Sequence, residues 1–419
     1  MGLDQALPAS LRIDAQHRRV RLDPRDPDFV QNPYAAYAAI RQACPFFFWE
    51  DYGHWCASTH AQVGALFRDR RLGRDLRHVA SRAELGWPDP PEHTRAFHAF
   101  EERSMLENEP PVHTRLRALV NRAFVSRTVE RLRPRVAALA HELIDRFPVD
   151  ASFDLLPAFA EPIPVTVIAE MLGVPAADAP QLLDWSHRMV AMYQFGRTRA
   201  VEDEAEAATN AFSAHIRAVV ARRRGQPGDD ILSLLVAAEA DGERLSEDEL
   251  VTNAILLLNA GHEATVHGIG NAVATLLRGG YDPDAAFATP EGTAATVEEL
   301  LRLAPPLHMF TRYALAPLEV EGVALQTGDT VGLLIGGANH DPAAYAEPGR
   351  FAPRRTGPPH LGFGAGIHFC IGAPLARLEL QVALPILFAR LPGLRLAERP
   401  RFADRYHFHG LAALPVRAR

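Results

Sequence analysis

Residues 360–372 read His360-Leu361-Gly362-Phe363-Gly364-Ala365-Gly366-Ile367-His368-Phe369-Cys370-Ile371-Gly372, and this glycine-rich stretch decides how the chain is interpreted. Three glycines precede Cys370, one follows it, and an apolar run at helical spacing begins at Ala373. Glycines allow the backbone to approach a large group closely. Backbone N–H groups beside a helix N-terminus favour a thiolate over a thiol. The pattern therefore predicts that Cys370 is a metal ligand or a nucleophile.

Several kinds of site fit a cysteine in such a loop. A cysteine hydrolase needs a histidine and an orienting group, and no known hydrolase signature surrounds Cys370. A zinc site needs further thiolates, but the chain has only Cys44, Cys56 and Cys370. A single axial thiolate on a haem iron fits the loop. A buried structural cysteine in a glycine-rich turn fits as well, so the residues alone leave both interpretations open.

The pattern Phe363-Gly364-x-Gly366-x-His368-x-Cys370-x-Gly372 resembles the haem-binding loop of the cytochrome P450 family, the haem-thiolate monooxygenases. The resemblance implies that Cys370 is the metal ligand, on the proximal side of the iron. It also implies that Phe363 shields the sulfur and that His368 meets a haem propionate. The glycines, Gly364 and Gly372 among them, would allow N–H···S hydrogen bonds.

Composition excludes several classes of function. The chain has 419 residues, 47% of them hydrophobic, a net charge of −7 and a pI of about 6.2. These values favour a large core and give no electrostatic case for nucleic acid or an anionic membrane. Three cysteines predict a reducing, cytoplasmic location. Residues 1–27 contain no apolar run that could serve as a signal peptide or membrane span, so within the family the resemblance implies the soluble bacterial type.

Several basic side chains lie at positions where they could bind the carboxylates of a ligand. His113 and Arg117 are four residues apart on a predicted helix, and therefore lie on one face. Arg312 follows in a β-rich run. The resemblance implies that all three hold haem propionates. An ordinary solvated basic face and an exposed strand arginine are the alternatives.

A long apolar helix is predicted from Leu250 to Leu277, with a capping box formed by Ser246 and Glu249. Within it lies the stretch Ala260-Gly261-His262-Glu263-Ala264-Thr265. Glu263 is a carboxylate in an apolar helix, which indicates either a structural ion pair or a functional acid. The stretch resembles the oxygen-activation motif of the family. The resemblance places Ala260 and Gly261 against the haem and makes Glu263, Ala264 and Thr265 the catalytic group.

This motif departs from the family at one position, because Ala264 stands where the family usually has threonine. The usual hydroxyl helps to deliver protons to dioxygen. A substrate hydroxyl or ordered water could replace it, which is the interpretation we favour. Thr265, rotated by about 100° around the helix, could reach in instead, or the protein could be poorly coupled or use peroxide.

The chain contains two further predicted features. Residues 71–105 are interpreted as a long, loop-rich segment that the resemblance places over the substrate pocket. Glu299 and Arg302 are three apart on a predicted helix. The resemblance implies that they form a buried pair joined by Arg350.

The predicted fold is mainly α with a small β portion, the cytochrome P450 fold, with haem b (iron protoporphyrin IX) between the central helix and the helix after the Cys370 loop. We expect one haem domain over residues 1–419, with a loosely ordered extension over residues 1–30. The resemblance implies a monomeric monooxygenase that inserts one oxygen atom into a small, largely apolar molecule. No G-x-G-x-x-G motif opens a nucleotide-binding unit, so electrons are expected from a separate ferredoxin and its reductase. A peroxide-driven haem-thiolate enzyme and a non-catalytic haem ligand sensor are the alternatives.

Overall fold

A computed structural model describes residues 7–123, 129–194, 196–238 and 242–419. Helices dominate the described chain, in agreement with the predicted fold class. They are α1 Pro27–Gln31, α2 Tyr34–Ala43, α3 His60–Leu66, α4 Arg95–Arg103, α5 Val112–Ala123, α6 Arg133–Ile144, α7 Pro162–Leu172, α8 Ala179–Val190, α9 Arg199–Gly225, α10 Ile231–Ala237, α11 Glu247–Gly279, α12 Pro283–Ala286, α13 Pro290–Leu303, α14 Ile335–Ala338 and α15 Ala373–Arg390. Among them we find no helix with the length and apolarity that a membrane span requires.

The strands are short and form one larger sheet with three small ones. They are β1 Arg12–Asp14, β2 Arg19–Arg21, β3 Phe46–Trp49, β4 His54–Ala57, β5 Leu72–Gly73, β6 Phe153–Asp154, β7 Met309–Ala314, β8 Leu318–Val320, β9 Val323–Leu325, β10 Thr330–Leu334, β11 Arg395–Leu396, β12 Arg401–Phe402, β13 Leu411–Ala413 and β14 Pro415–Arg417. The larger sheet has the order β1-β2-β3-β4-β10-β7-β5. The others pair β11-β14-β6, β12-β13 and β8-β9.

The N-terminal segment belongs to the larger sheet, so the expectation of a loosely ordered extension is wrong for the part of it that the structure describes. Strands β1 and β2 pair antiparallel, and β2 continues parallel to β3. Val20 and Leu22 are fully buried. Strands of three residues carry too little alternation to be detected in a sequence, and they are stable here because a neighbouring strand pairs with them.

The segment over residues 71–105 is less irregular than predicted, because α4 occupies its C-terminal part. Phe97 and Phe100 lie three residues apart and are both buried. The other residues of α4 are mostly polar or charged, and they hid this narrow apolar face from a search for helical periodicity.

Helix α11 runs through the core of the larger, helical part of the molecule. Ser246 and Glu249 form the predicted capping box, and Gly280 ends the helix with a φ of 60°. The helix packs against α7, α9, α13 and α15. Its 33 residues are therefore buried along most of their length, and the predicted central helix is confirmed.

The buried pair of Glu299 and Arg302 on α13 is confirmed, with 2.8 Å between Arg302 Nε and Glu299 Oε2. Its third member is Arg355, whose Nε lies 3.0 Å from Glu299 Oε1. The Arg350 side chain is exposed and pairs with Glu347, so Arg350 joins the network only through its carbonyl oxygen, which accepts from Arg302 and Arg355. Both arginines lie in an irregular segment, where no periodicity indicates which side chain folds back onto α13.

Candidate active site

The loop before α15 owes its shape to glycine at two positions. Gly364 and Gly366 have φ values of 68° and 74°, which non-glycine residues rarely adopt. A Cβ atom on Gly366 would lie 2.4 Å from the carbonyl oxygen of Phe67. The N–H of Cys370 donates to Phe363 O at 3.0 Å, which closes the loop. The cysteine is thus held at the end of a tight turn that packs against Phe67, the residue directly after α3.

The Cys370 thiol is enclosed by protein, yet the residue is exposed because it faces an internal cavity. Burial raises the pKa of the thiol. The N–H groups of Gly372 and Ala373 and the positive charge of Arg117 act in the opposite direction. The groups that the sequence predicted to favour a thiolate are therefore in place.

An ion pair backs the Phe363 ring beside the cysteine. The guanidinium carbon of Arg377 lies 4.5 Å from the centre of the Phe363 ring. Arg377 Nε lies 2.6 Å from Glu298 Oε1. This contact fixes the aromatic ring where it can cover the sulfur.

The cavity in front of Cys370 has about 1450 Å³ of empty space, part of it open to solvent. The residues around this space come mostly from the Cys370 loop, from α11 and from the start of β7. Its lining is mainly apolar. The predicted site residues among the lining are Arg117, Ala260, Gly261, Ala264, Thr265, Arg312, Phe363, Gly364, His368, Cys370 and Gly372.

Two arginines at the cavity lack an acidic partner. Arg312 is almost fully buried, and its Nη1 donates to Thr311 O at 2.9 Å. Arg117 Nη2 donates to Phe369 O at 2.7 Å. Neither forms an ion pair with a carboxylate in the part of the chain that the structure describes. Burial, followed by the nearby charge of Arg74, lowers the pKa of Arg312 to about 10, so a bound anion would stabilise its charge.

Two histidines, whose rings contact each other at a tilt, lie beside these arginines. The rings of His113 and His368 lie 4.4 Å apart, and His368 Nε2 donates to Glu109 Oε1 at 3.1 Å. His113 Nε2 is buried without a hydrogen-bond partner among the described residues. Burial, and then the charges of His368 and Arg117, lower the pKa of His113 to about 4. His113 is not in the cavity lining but directly behind it. A hydrogen-bond acceptor placed there could pair with His113 Nε2.

Helix α11 forms the wall of the cavity opposite the loop. Ala260, Gly261, Ala264 and Thr265 all face it, and Gly261 packs so closely on Ile168 that a Cβ atom would lie 3.3 Å from that side chain. The Thr265 hydroxyl donates to Gly261 O at 3.1 Å. Ala264 thus presents a methyl group, and Thr265 a hydroxyl already engaged with the backbone.

Glu263, by contrast, does not line the cavity. Its carboxylate lies among His187, His262, His267 and Arg405, at 3.2, 3.6, 3.3 and 3.4 Å. Burial alone raises the pKa of Glu263, but hydrogen bonds from His187 and His267 outweigh it and hold the pKa well below its usual value. Of the two interpretations left open by the sequence, the structure supports the ion pair.

Sequence reasoning missed several residues around this site. Phe67 lies under Arg312, with the guanidinium carbon 5.2 Å from its ring centre, and Glu109 holds His368. Met105, Leu106 and Ile168 add apolar surface to the cavity. None of them belongs to a motif, and no local signal separates them from ordinary core residues.

The residues present fit a haem. A cysteine faces the cavity, and glycines clear the backbone on both sides. Around it lie two arginines and a histidine nitrogen that have no acidic or hydrogen-bond partner, respectively, among the described residues. This arrangement is that of a thiolate-ligated haem protein.

Comparison with known proteins gives the same result. The family model "Cytochrome P450" matches residues 292–392. The polyketide biosynthesis cytochrome P450 PksS of Bacillus subtilis (strain 168) is 33% identical over 95% of this chain and 98% of its own length. The 6-deoxyerythronolide B hydroxylase of Saccharopolyspora erythraea is 36% identical over 92% and 95%. The solved structure of P450BioI with an acyl carrier protein carrying hexadec-9Z-enoic acid has a TM-score of 0.85 and 31% identity, over 93% of this chain and 99% of that one.

The chain therefore belongs to the cytochrome P450 family. Relatives named as monooxygenases and hydroxylases make it an oxidoreductase of the bacterial monooxygenase type. Membership implies a haem cofactor, an organic substrate and electrons from redox partners.

Proposed function

We propose that this P450 inserts one oxygen atom from O₂ into a small, largely apolar organic molecule. The observation that carries the proposal is Cys370 facing the wall of α11 across a mainly apolar cavity. Apolar side chains on the α11 side favour an apolar substrate, because few groups there could compensate a desolvated polar one. They are Met105, Leu106, Ile168, Leu256, Leu257 and Leu307.

We assign the cofactor as haem b, bound without a covalent link to the chain. Cys370 would hold the haem iron through its thiolate, and Phe363 would cover the sulfur. Arg117, Arg312, His113 and His368 bind the two carboxylates. When bound, such a haem activates dioxygen, helped by electron density from the thiolate. The chain would position the haem, compensate the negative charges of its carboxylates and exclude water.

We assign the delivery of protons to the face of α11 that lines the cavity. Ala264 gives no hydroxyl, and the Thr265 hydroxyl is donated to Gly261 O, so ordered water or a substrate hydroxyl carries the proton past the methyl group. Glu263 sits one residue before Ala264 with its charge compensated by histidines and Arg405, so we assign it a positioning role on α11 and not the donation of the proton. Ala260 and Gly261 leave space above the cofactor.

The electron donor is proposed to be a ferredoxin with its reductase. Ile367 and Phe369 precede Cys370 in the loop and are exposed, Phe369 partly to the cavity, so a partner docked at Ile367 comes within a few residues of the ligand. We also propose a monomer with one haem domain over residues 1–419. The three free cysteines favour the reducing cytoplasm.

The deciding experiment is a spectrum of the reduced, carbon-monoxide-bound protein. The red-shifted Soret band of a thiolate-ligated haem is expected, and Cys370→Ser should abolish it. Cys44→Ser is the matched control, because Cys44 is a buried free cysteine outside the cavity lining, and it should retain the band. Absence of the band from fully haem-loaded protein, or its persistence in Cys370→Ser, contradicts the proposal.

A second candidate is a peroxide-driven haem-thiolate enzyme, which the methyl group of Ala264 favours. In that reaction hydrogen peroxide supplies both the oxygen atom and the reducing equivalents. Product formation from hydrogen peroxide without redox partners, at a rate at least equal to that with them, would favour this candidate over the first.

A further inference from the structure

A cluster of metal-ligating side chains lies outside the cavity, on the part of α11 that the proposed reaction uses only indirectly. His262 and Glu263 belong to α11, and His187 comes from the last turn of α8. One ligand atom from each of these three residues lies within 4.8 Å of the others. The cluster thus joins two helices through a carboxylate and two imidazoles.

The distances suit a tetrahedral metal ion. Glu263 Oε2 lies 3.2 Å from His187 Nε2 and 3.6 Å from His262 Nε2. Zinc binds imidazole and carboxylate at about 2.0–2.2 Å, and ligands at tetrahedral angles are then roughly 3.3 Å apart. Both separations are therefore close to an edge of a zinc tetrahedron, and one ligand atom of each imidazole lies within 4.8 Å of the other.

His262 shows which ion the cluster is suited to receive. Its Nδ1 donates to Leu258 O at 2.9 Å, so in the neutral ring Nε2 carries a lone pair and no proton. His262 is fully buried, and Nε2 has no hydrogen-bond partner among the described residues. This lone pair faces the ionised carboxylate of Glu263. A cation between the two atoms turns a repulsive contact into two bonds, and the bond to Leu258 O is the kind that orients metal-ligating histidines.

The two oxygens of Glu263 have different surroundings. Oε1 is held by His267 Nε2 at 3.3 Å and Arg405 Nη1 at 3.4 Å. Oε2 faces His187 and His262. One oxygen is therefore fixed by outer partners while the other is directed at the imidazoles, as for a carboxylate that binds a metal through one oxygen. Arg405 carries a positive charge nearby, but its side chain is 48% exposed and can turn into solvent.

We propose that His187 Nε2, His262 Nε2 and Glu263 Oε2 form a binding site for a divalent transition metal of zinc type, distinct from the haem site, in which the ion replaces the proton between His187 Nε2 and Glu263 Oε2. The His187 side chain is 46% exposed, which leaves the fourth position open to water. A bound ion joins α8 to α11 and fixes Glu263, the residue before Ala264. The site stands independently of the proposed oxygenase function, because none of its atoms lines the cavity.

Isothermal titration of zinc chloride into chelator-treated, haem-loaded protein tests the site. One tight site is expected. His187→Gln should weaken zinc binding at least about tenfold, as should Glu263→Gln. His187 is half exposed, so its replacement leaves the core intact even where His262→Gln does not fold. The matched control is His17→Gln, which removes an exposed histidine 2.7 Å from Asp14 and should leave the affinity unchanged.

X-ray absorption at the zinc edge gives an independent readout. Nitrogen and oxygen neighbours at about 2.0–2.2 Å are expected, and sulfur at about 2.3 Å would place the ion on a cysteine instead. Unchanged affinity in both His187→Gln and Glu263→Gln, or loss of binding in His17→Gln, would overturn the proposal. Magnesium chloride should produce no heat of binding at this site, because magnesium prefers oxygen ligands.

Discussion

At the scale of single residues, α11 carries two neighbours with different roles. Ala264 faces the cavity, and Glu263 is turned away from it into a ring of histidines and Arg405. Consecutive residues on a helix are about 100° apart, so one can line a cavity while the next packs against another helix. The motif therefore contains one cavity position without a hydroxyl and one acid held by ion pairs.

Ala264→Thr tests how protons pass the methyl group. If water or a substrate hydroxyl fills the space, the larger side chain displaces it, and less product is expected per NADPH consumed. Substrate binding should also weaken by about 1 kcal/mol or more, since overpacking is unfavourable. Ala264→Val is the matched control for volume without the hydroxyl. A Thr variant that couples better than the parent, with a Val variant that couples worse, would show that the site simply lacks a hydroxyl.

At the scale of elements, the carboxylate of Glu299 connects α13 to the irregular segment between α14 and the Cys370 loop. Glu299 accepts from Arg302 and Arg355, and all three side chains are buried or nearly so. The Arg355 guanidinium also donates to Ala346 O and Arg350 O, both at 2.6 Å. Arg355 therefore holds the segment that leads into the Cys370 loop.

Arg355→Ala should destabilise the folded protein by about 3 kcal/mol, because it removes one of the two cations paired with a buried carboxylate and a donor to two carbonyl oxygens. Arg350→Ala is the matched control, five residues away and exposed, and should change the free energy of unfolding by less than about 0.5 kcal/mol. Urea unfolding followed by the Soret band and by circular dichroism measures both. Equal effects of the two substitutions would contradict the assignment.

At the scale of the whole molecule, stability is expected to depend on one buried acid. Glu379 on α15 is fully buried, and neither of its oxygens has a hydrogen-bond partner in the described chain. Burial raises the pKa of Glu379 well above its usual value. The carboxyl is therefore neutral in the folded protein and loses its proton on unfolding once the pH exceeds about 4.5. Glu379 therefore lowers the free energy of unfolding least below that pH, and lowers it by an increasing amount as the pH rises.

Glu379→Gln removes this titration and keeps the shape of the side chain. The thermal midpoint of the variant, relative to the parent, should rise steadily between pH 5 and pH 8. The difference in stability should grow by up to about 1.4 kcal/mol per pH unit. Thermal scans at matched rates across this range measure it. Parallel pH profiles for the two proteins would show that Glu379 is ionised or partnered in the folded state.

Motifs and strong periodicity made a large part of the molecule predictable. The Cys370 loop, the capped central helix and the pair of Glu299 and Arg302 all depend on residues close in sequence. Glycine spacing, capping boxes and helical repeats are local rules, and one chain is enough to read them.

Tertiary structure decided the rest. The sequence by itself determined the glycine spacing around Cys370, and the resemblance of that spacing to the family's haem-binding loop indicated the haem-thiolate class. Arg355 reaches Glu299 from more than 50 residues away in the sequence. Strands β1 and β2 join a sheet because β3 pairs with β2, and Glu263 points away from the cavity because α8 brings His187 to it. Those contacts are made by segments that meet only when the chain folds, and no local pattern encodes which of several similar side chains will meet. The candidate metal site across α8 and α11 is of this kind, because His187 lies 75 residues before His262 (262 − 187) and only packing brings the two imidazoles to one carboxylate.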